Sequence, residues 1–153
     1  MSNRPIFWLD LDNTLISGVQ DGPSRIVVQR RPGARKFVEH LSRLGDVGLC
    51  THGVREHAEE SLNTIGMRDR FSTIICREDL NEVVPGQGPR LGRPGYMFDD
   101  FPVGSWLYDL KATALGIGPD LWIQVDYFGP GSPDKDGLRR AYLELLRRVR
   151  KIA

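Results

Sequence analysis

Two carboxylates separated by one residue, Asp10 and Asp12, follow directly on the apolar run Ile6-Phe7-Trp8-Leu9. Residues two apart on a strand point the same way, so both acids lean to one side of the strand end. Leu9 and Leu11 point to the other. Like charges this close repel, and burial sharpens the repulsion; a metal ion or a shared proton relieves it. In open α/β sheets, ligands bind at the C-terminal edge of the strands. An ordinary Asx turn would also place aspartates at a strand end. The buried-strand pattern before the pair, and Asn13-Thr14-Leu15 immediately after it, favour chemistry over a bare turn.

The elements that must position these acids can be read in order. Pro5 and Gly18 bracket the first strand. A polar connection over 17–24 leads to Arg25-Ile26-Val27-Val28-Gln29, a short strand in a hairpin or flap. Pro32-Gly33 opens a helix in which Phe37, Val38, Leu41 and Leu44 recur at helical spacing until Gly45. Val47 to Cys50 is a second buried strand, running into Thr51-His52-Gly53. A helix over 55–65 carries Ala58, Leu62 and Ile65 on one face, and Phe71 to Cys76 is a third strand. Residues 77–95 hold Pro85, Gly86, Gly88, Pro89, Gly92, Pro94 and Gly95 and read as a long irregular loop. Tyr96-Met97-Phe98 is a fourth strand, ending in Asp99-Asp100. A helix between Gly104 and Leu115 is expected to turn Trp106, Leu107 and Leu110 inward, with Trp8 and Trp122 also in the core. Leu121 to Val125 is a fifth strand. After a turn over 129–133, a helix over 134–152 has Leu138, Ala141, Leu145 and Val149 as its buried stripe. The alternation predicts an α/β fold: a central parallel sheet flanked by helices, joined by right-handed crossovers, as one domain over 1–153.

Composition sets outer bounds. The chain has 153 residues, 40% hydrophobic and 27% charged, which suits a globular domain rather than a disordered one. A formal net charge of +1 gives no global argument for a nucleic-acid partner. No apolar run approaches the roughly 20 residues of a membrane span, and no signal-like segment opens the chain, so the expected location is cytoplasmic. Cys50 and Cys76 lie in apolar stretches and read as buried thiols of a reducing compartment. The histidines His40, His52 and His57 have no zinc-ligand spacing with them. The basic residues Arg139, Arg140, Arg147, Arg148, Arg150 and Lys151 read as the solvated face of the last helix.

A parallel sheet brings the ends of its strands to one edge. Asp10 and Asp12, Thr51, and Asp99 with Asp100 therefore meet there. Carboxylates and hard oxygen donors suit Mg²⁺. Taken singly, Asp99-Asp100 is also compatible with a turn, Thr51 with a helix cap, and His52 with a structural or solvated ring.

Asp10-Leu11-Asp12-Asn13-Thr14 resembles the first motif of the haloacid dehalogenase-like (HAD) superfamily in its phosphatase form. Thr51 is similar to the second motif and Asp99-Asp100 to the acidic fourth. Arg31-Pro32-Gly33, the Thr51 strand and Asp99-Asp100-Phe101-Pro102 more narrowly resemble the capless phosphatases of the RNA polymerase II C-terminal domain, the NLI-interacting-factor-like group, with their small bacterial and phage relatives. The resemblance implies a Rossmann-like HAD fold with a small β-flap and no cap domain. It implies a Mg²⁺-dependent phosphomonoesterase working through an aspartyl-phosphate. Asp10 would be the nucleophile. Asp12 would be the general acid and base, with its carbonyl on the metal. Thr51 and the adjacent His52 would contact the phosphate, and Asp10, Asp12, Asp99 and Asp100 would hold Mg²⁺.

One departure stands out. The family's third motif is a lysine between the second and fourth motifs, and no lysine lies between Thr51 and Asp99. Arg90 and Arg93, from the glycine-rich loop, are the expected phosphate-binding substitutes; Lys111 would have to fold back from beyond the fourth motif. A rival parse takes Lys111 as the third motif and Asp126 as the fourth. Only residues 15–31 separate the first strand from the first long helix, too few for a cap. An open site predicts a macromolecular substrate, a phosphoprotein or a nucleic-acid end, with a nucleotide as the small-molecule alternative and no membrane partner. The missing lysine also leaves open a catalytically weak interaction module on the same fold.

Overall fold

The computed structural model describes the chain except residues 1–3, 21, 24–25, 83–90, 132–133, 135 and 153. In chain order the elements are β1 (Ile6–Leu9), β2 (Ile16–Gln20), β3 (Ile26–Arg30), α1 (Ala34–Leu44), β4 (Asp46–Cys50), α2 (Arg55–Thr64), β5 (Thr73–Ile75), α3 (Arg77–Leu80), β6 (Tyr96–Asp99), α4 (Trp106–Leu115), β7 (Trp122–Gln124) and α5 (Gly137–Ile152). Five strands form one sheet in the order β5-β4-β1-β6-β7, with every neighbouring pair parallel. β1 is central and buried at all its positions, as a strand covered on both faces must be. The expected α/β architecture is what forms, and no cap domain is present among the described residues.

The period of two divides the core into two layers. Phe7 and Leu9 of β1 face a cluster with Leu49, Phe98 and Ile123, closed by Phe37, Val38 and Leu41 of α1, Leu62 of α2 and Leu138, Ala141 and Leu145 of α5. Ile6 and Trp8 face the other way, into a cluster with Cys50, Met97, Trp122 and the α4 residues Ala114 and Leu115. Trp8 lies flat against β4 because Gly48 stands opposite it; a Cβ there would come within 2.6 Å of the indole. Its Nε1–H donates to the Arg93 carbonyl at 3.1 Å. That bond ties the loop before β6 to the core.

Several expectations are corrected. The expected flap forms, but its first strand comes from the segment read as a polar connection: Ile16–Gln20 pairs antiparallel with Ile26–Arg30. Ser17 and Gly18 have weak strand propensity, and cross-strand pairing overrides it. A short helix, α3, begins the segment read as irregular. Trp106 is 59% exposed rather than inward, because it is the first residue of α4 and faces away from the sheet. Val149 and Leu44, at the last turns of their helices, are exposed as well. Both cysteines are free and buried, and burial raises their thiols, to about 12 for Cys50 and about 11 for Cys76. Among the described residues no helix is long and apolar enough to cross a membrane.

Candidate active site

The sheet pairing carries one residue past β1, where the Asp10 amide donates to the Phe98 carbonyl at 2.9 Å. The chain then turns. Thr14, Leu15 and Ile16 amides all donate to the Leu11 carbonyl, and Asn13 takes a left-handed φ of 65°. Asparagine tolerates that conformation better than most residues. Asn13 is fastened from outside: its side-chain amide donates to the Phe128 carbonyl at 3.0 Å, and its carbonyl accepts the Phe128 amide at 2.9 Å. Asp10 is left buried and Asp12 at the surface, with side-chain exposures of 7% and 44%.

Strand alternation fixes what Asp10 faces. Ile6, Trp8 and Asp10 share one side of β1, and Met97 and Asp99 share the same side of β6. That side is covered by α4. The buried residues of α4 include Leu107, Lys111, Ala114 and Leu115, so Lys111 occupies a place in the apolar stripe and is completely buried. Its Nζ donates to Asp10 Oδ1 at 2.8 Å and to Asp99 Oδ2 at 2.6 Å. Burial alone would lower the Lys111 pKa, but the two carboxylates outweigh it and hold the ammonium above the ordinary lysine value. The other Asp10 oxygen, Oδ2, accepts from the Thr14 hydroxyl at 3.1 Å; that hydroxyl also lies 3.3 Å from Asp100 Oδ1.

Asp10, Asp99 and Asp100 each bring a carboxylate oxygen within 4.8 Å of the others. Burial, then the Asp10 charge, push the Asp99 carboxyl up to about 6, against the pull of Lys111. Burial and the hydrogen bond with Asp10, with both neighbouring charges, push Asp100 up to about 8. One ammonium does not neutralise three acids. The donor set is hard, anionic and short of positive charge, which fits a small divalent cation.

Thr51, at the end of β4, is buried, and its Oγ1 accepts the Gly53 amide at 3.0 Å. A Cβ added at Gly53 would stand 3.3 Å from Thr51 Oγ1 and 3.4 Å from Asp12 Oδ2, so the two oxygens flank one small space. Asp12 Oδ1 lies 2.9 Å from His57 Nε2, in the first turn of α2. His52 sits at the rim. Its ring meets Trp106 edge to face at 5.0 Å, and Phe101 meets Trp106 in the same manner at 6.3 Å. Partial burial, then the Arg77 and Lys111 cations, lower the His52 pKa and favour its neutral ring.

Of the residues expected at this edge, Asp10, Asp12, Thr51, His52, Asp99 and Asp100 gather there. Arg93 does not. It pairs with Asp46 at the start of β4, on the opposite edge of the sheet. The Trp8 bond to its carbonyl holds it there. Arg90 lies outside the described residues. Asp126 is 60% exposed at its side chain and pairs with Arg140, away from the acidic cluster. The arrangement is thus a mixture of the two parses: Lys111 from one, Asp99 and Asp100 from the other. Sequence reading assigns no site role to Thr14 and the buried Arg31, which it names only within motifs, nor to His57. For Lys111, a lysine in an otherwise apolar helical stripe is the signal that could have shown it to be buried. Arg31 donates to both Asp134 oxygens at 3.0 and 2.8 Å and to the carbonyls of Thr14 and Asp126 at 3.1 and 2.8 Å. It pins the turn after β1 to the entry of α5.

Among solved structures, the chain is similar to a variant of the fission yeast RNA polymerase II CTD phosphatase Fcp1 bound to beryllium fluoride. Identity is 15%, the TM-score is 0.53, and the match covers 97% of this chain and 50% of that one. A second structure of Fcp1, an essential RNA polymerase II CTD phosphatase, matches at 18% identity and a TM-score of 0.56, over 95% of this chain and 51% of that one. A putative β-phosphoglucomutase from Thermotoga maritima matches at 19% identity and a TM-score of 0.50, over 80% of this chain and 62% of that one. The likenesses establish the fold, and the chain spans about half the length of the Fcp1 chains. A comparison with curated protein sequences finds no match. The family model for NLI interacting factor-like phosphatases matches residues 6–87, more than half of the 153 residues. The strand bearing Asp10 and Asp12, the flap and the Thr51 edge all fall within that match, and the chain belongs to the NLI interacting factor-like phosphatase family.

Proposed function

We propose that the protein is a Mg²⁺-dependent phosphomonoesterase that works through an aspartyl-phosphate on Asp10. The observation that carries this reading is the pairing of a buried, lysine-held Asp10 with a surface-facing Asp12 across the same sheet edge. Asp10 uses a carboxylate oxygen to attack phosphorus, and the bond from phosphorus to the ester oxygen breaks. Asp12 Oδ2 gives its proton to that oxygen, so the alcohol leaves neutral. Asp12, now ionised, takes a proton from a water that attacks the phosphoryl group. Inorganic phosphate leaves and both aspartates return to their starting states. Lys111 orients Asp10 and offsets the charge gathered around it, and the Thr51 hydroxyl donates to the phosphoryl oxygens. Asp10, Asp100 and the Asp12 carbonyl would hold Mg²⁺, with Asp99 supporting the cluster through Lys111. The bound cation would reduce repulsion between carboxylate and phosphate and stabilise the transferring charge.

The lysine missing from its expected interval is the ground for the alternative of a catalytically weak interaction module. Lys111 supplies that cation from α4, which supports the enzyme instead. The absence of a cap among the described residues and the exposed Trp106 at the rim favour a phosphorylated macromolecule over a small ester. The test is phosphate release from p-nitrophenyl phosphate and from phosphopeptides, with and without Mg²⁺. Turnover that requires Mg²⁺ and disappears in a folded Asp10→Asn variant is expected. No release from any phosphoester by the wild type would overturn the reading.

A further inference from the structure

We propose that His57 is a positioning residue for Asp12: its Nε2–H holds Asp12 Oδ1 and leaves Oδ2 as the oxygen that carries the transferable proton. The inference rests on the phosphatase reading above. The Nε2 to Oδ1 separation is 2.9 Å. On the far side of the ring, Nδ1 lies 3.4 Å from Ser61 Oγ, four residues on along α2, where the two side chains share a face. A hydroxyl donating to Nδ1 leaves the proton on Nε2, the nitrogen that meets Asp12. The ring is therefore held at both nitrogens, with Nε2 turned to the carboxylate.

A general acid at this position needs such help. Asp10 is gripped by Lys111 and Thr14 and is nearly buried, whereas Asp12 is 44% exposed and free to rotate about its side-chain torsions unless something fixes it. The product of proton transfer depends on which oxygen faces the leaving group. Oδ2 faces Gly53, whose φ is not in the left-handed region. A glycine is not required there by the backbone. Its role is spatial: a Cβ would stand tightly at 3.2 Å from His57 Cδ2 and 3.3 Å from Thr51 Oγ1, and in contact with Asp12 Oδ2 at 3.4 Å. The side chain that any other residue would add is absent where Asp12, Thr51 and His57 converge, and the leaving-group oxygen fits that gap. His57 closes one side of Asp12 while Gly53 keeps the other clear.

The consequence is selective for reactions that need a proton. Bond breaking to phosphorus from a poor leaving group depends on the acid; from a good one it does not. kcat/KM reports the first half of the reaction, up to the aspartyl-phosphate. The experiment compares phenyl phosphate with 2,4-dinitrophenyl phosphate in the Mg²⁺-loaded full chain. His57→Ala is expected to lower kcat/KM for phenyl phosphate about tenfold, the scale of one orienting hydrogen bond, and to leave the dinitrophenyl ester within about twofold. kcat on the dinitrophenyl ester should also fall, because Asp12 acts as base in the second half. His57→Gln, which keeps an N–H at similar reach, should restore most of the phenyl phosphate rate. Should the alanine variant not fold, His57→Leu fills the same space without a donor and gives the same comparison. Equal losses of kcat/KM on both esters, or no recovery with Gln, would overturn the role of His57. A wild-type protein that turns over neither ester would overturn the phosphatase reading itself, and the positioning role with it.

Discussion

Lys111→Met tests the centre of the site, because the lysine is completely buried and bonded to two carboxylates at 2.8 and 2.6 Å. Methionine fills a similar volume and removes only the charge and its donors. Breaking a buried ion pair by removing one partner costs about 3–5 kcal/mol, since the remaining charge is left uncompensated. At about 1.4 kcal/mol per tenfold, the folding equilibrium falls by roughly two to three and a half powers of ten. With a urea slope near 2 kcal/mol/M, typical of small domains, the midpoint moves down by about 1.5–2.5 M. The loss should be smaller at pH 5, where Asp99, already pushed up to about 6, takes a proton instead of standing unpaired. Lys111→Met with Asp99→Asn should lose less than the two single variants add up to, because the second change removes a charge the first one orphaned. Phosphate release should fall about a hundredfold or more, the scale of losing one electrostatic stabiliser at a reacting centre. The assays are urea unfolding followed by circular dichroism, and phosphate release under saturating Mg²⁺. A Lys111→Met protein as stable and as active as the wild type, with Arg93→Met inactive, would refute the reasoning.

Metal should show its own pH signature. Asp99 and Asp100 are held at about 6 and about 8, above their unfolded value, so the folded chain keeps protons that the unfolded chain has released. Metal-free stability should therefore be fullest below pH about 4 for these groups and decline as pH rises towards 8. Mg²⁺ bound at the proposed site would replace those protons, so the rise in Tm on adding it should be larger at pH 8 than at pH 5, and a chelator should reverse it; equal shifts at both pH values would count against the acidic cluster as the site. Arg31→Met should destabilise by about 3–5 kcal/mol, because Asp134 is left buried without its partner. Arg31→Lys should recover only part of this, since one ammonium cannot reproduce the fork on Asp134 and both carbonyls; thermal unfolding reads both variants. Trp106→Ala should leave stability within about 0.5 kcal/mol, as an exposed site does, and raise KM for a phosphorylated protein several-fold while sparing p-nitrophenyl phosphate; a large stability loss would return Trp106 to the core.

The fold was legible because its signals are local. Apolar runs of strand length alternating with amphipathic stretches specify a covered parallel sheet, and such a sheet gathers the strand ends that carry Asp10, Thr51 and Asp99. What escaped was set by register and by helix faces. Ile16–Gln20 becomes a strand only through its partner Ile26–Arg30. Trp106 is aromatic and first in its helix; composition says core, and the helix start at Ser105, whose hydroxyl accepts the Tyr108 amide, turns the ring outward. Arg31 is legible only as part of Arg31-Pro32-Gly33 ahead of a helix; its buried role is not, because its partners Asp134 and the carbonyls of Thr14 and Asp126 come from segments distant in the chain.

Lys111 shows most plainly why a search by sequence order misplaces a site. A family's motifs are usually met in one order, which places the expected cation between Thr51 and Asp99. The reacting edge imposes no such order. It requires only that an ammonium come within hydrogen-bond distance of Asp10 from the side that Asp10 faces. Period two puts Asp10 with Trp8, and Asp99 with Met97, on the side covered by α4. Any cation for them must then come from α4 or from the segments packed beside it. Of the basic residues considered, Arg93 is committed to the opposite edge, and Lys111 is the one on the buried stripe of α4. An isolated buried lysine would be too costly to keep, and the two carboxylates that repel each other at the end of β1 and β6 are what make it stable there. The crowded acids and the displaced lysine therefore explain each other, and neither is comprehensible from its own stretch of sequence.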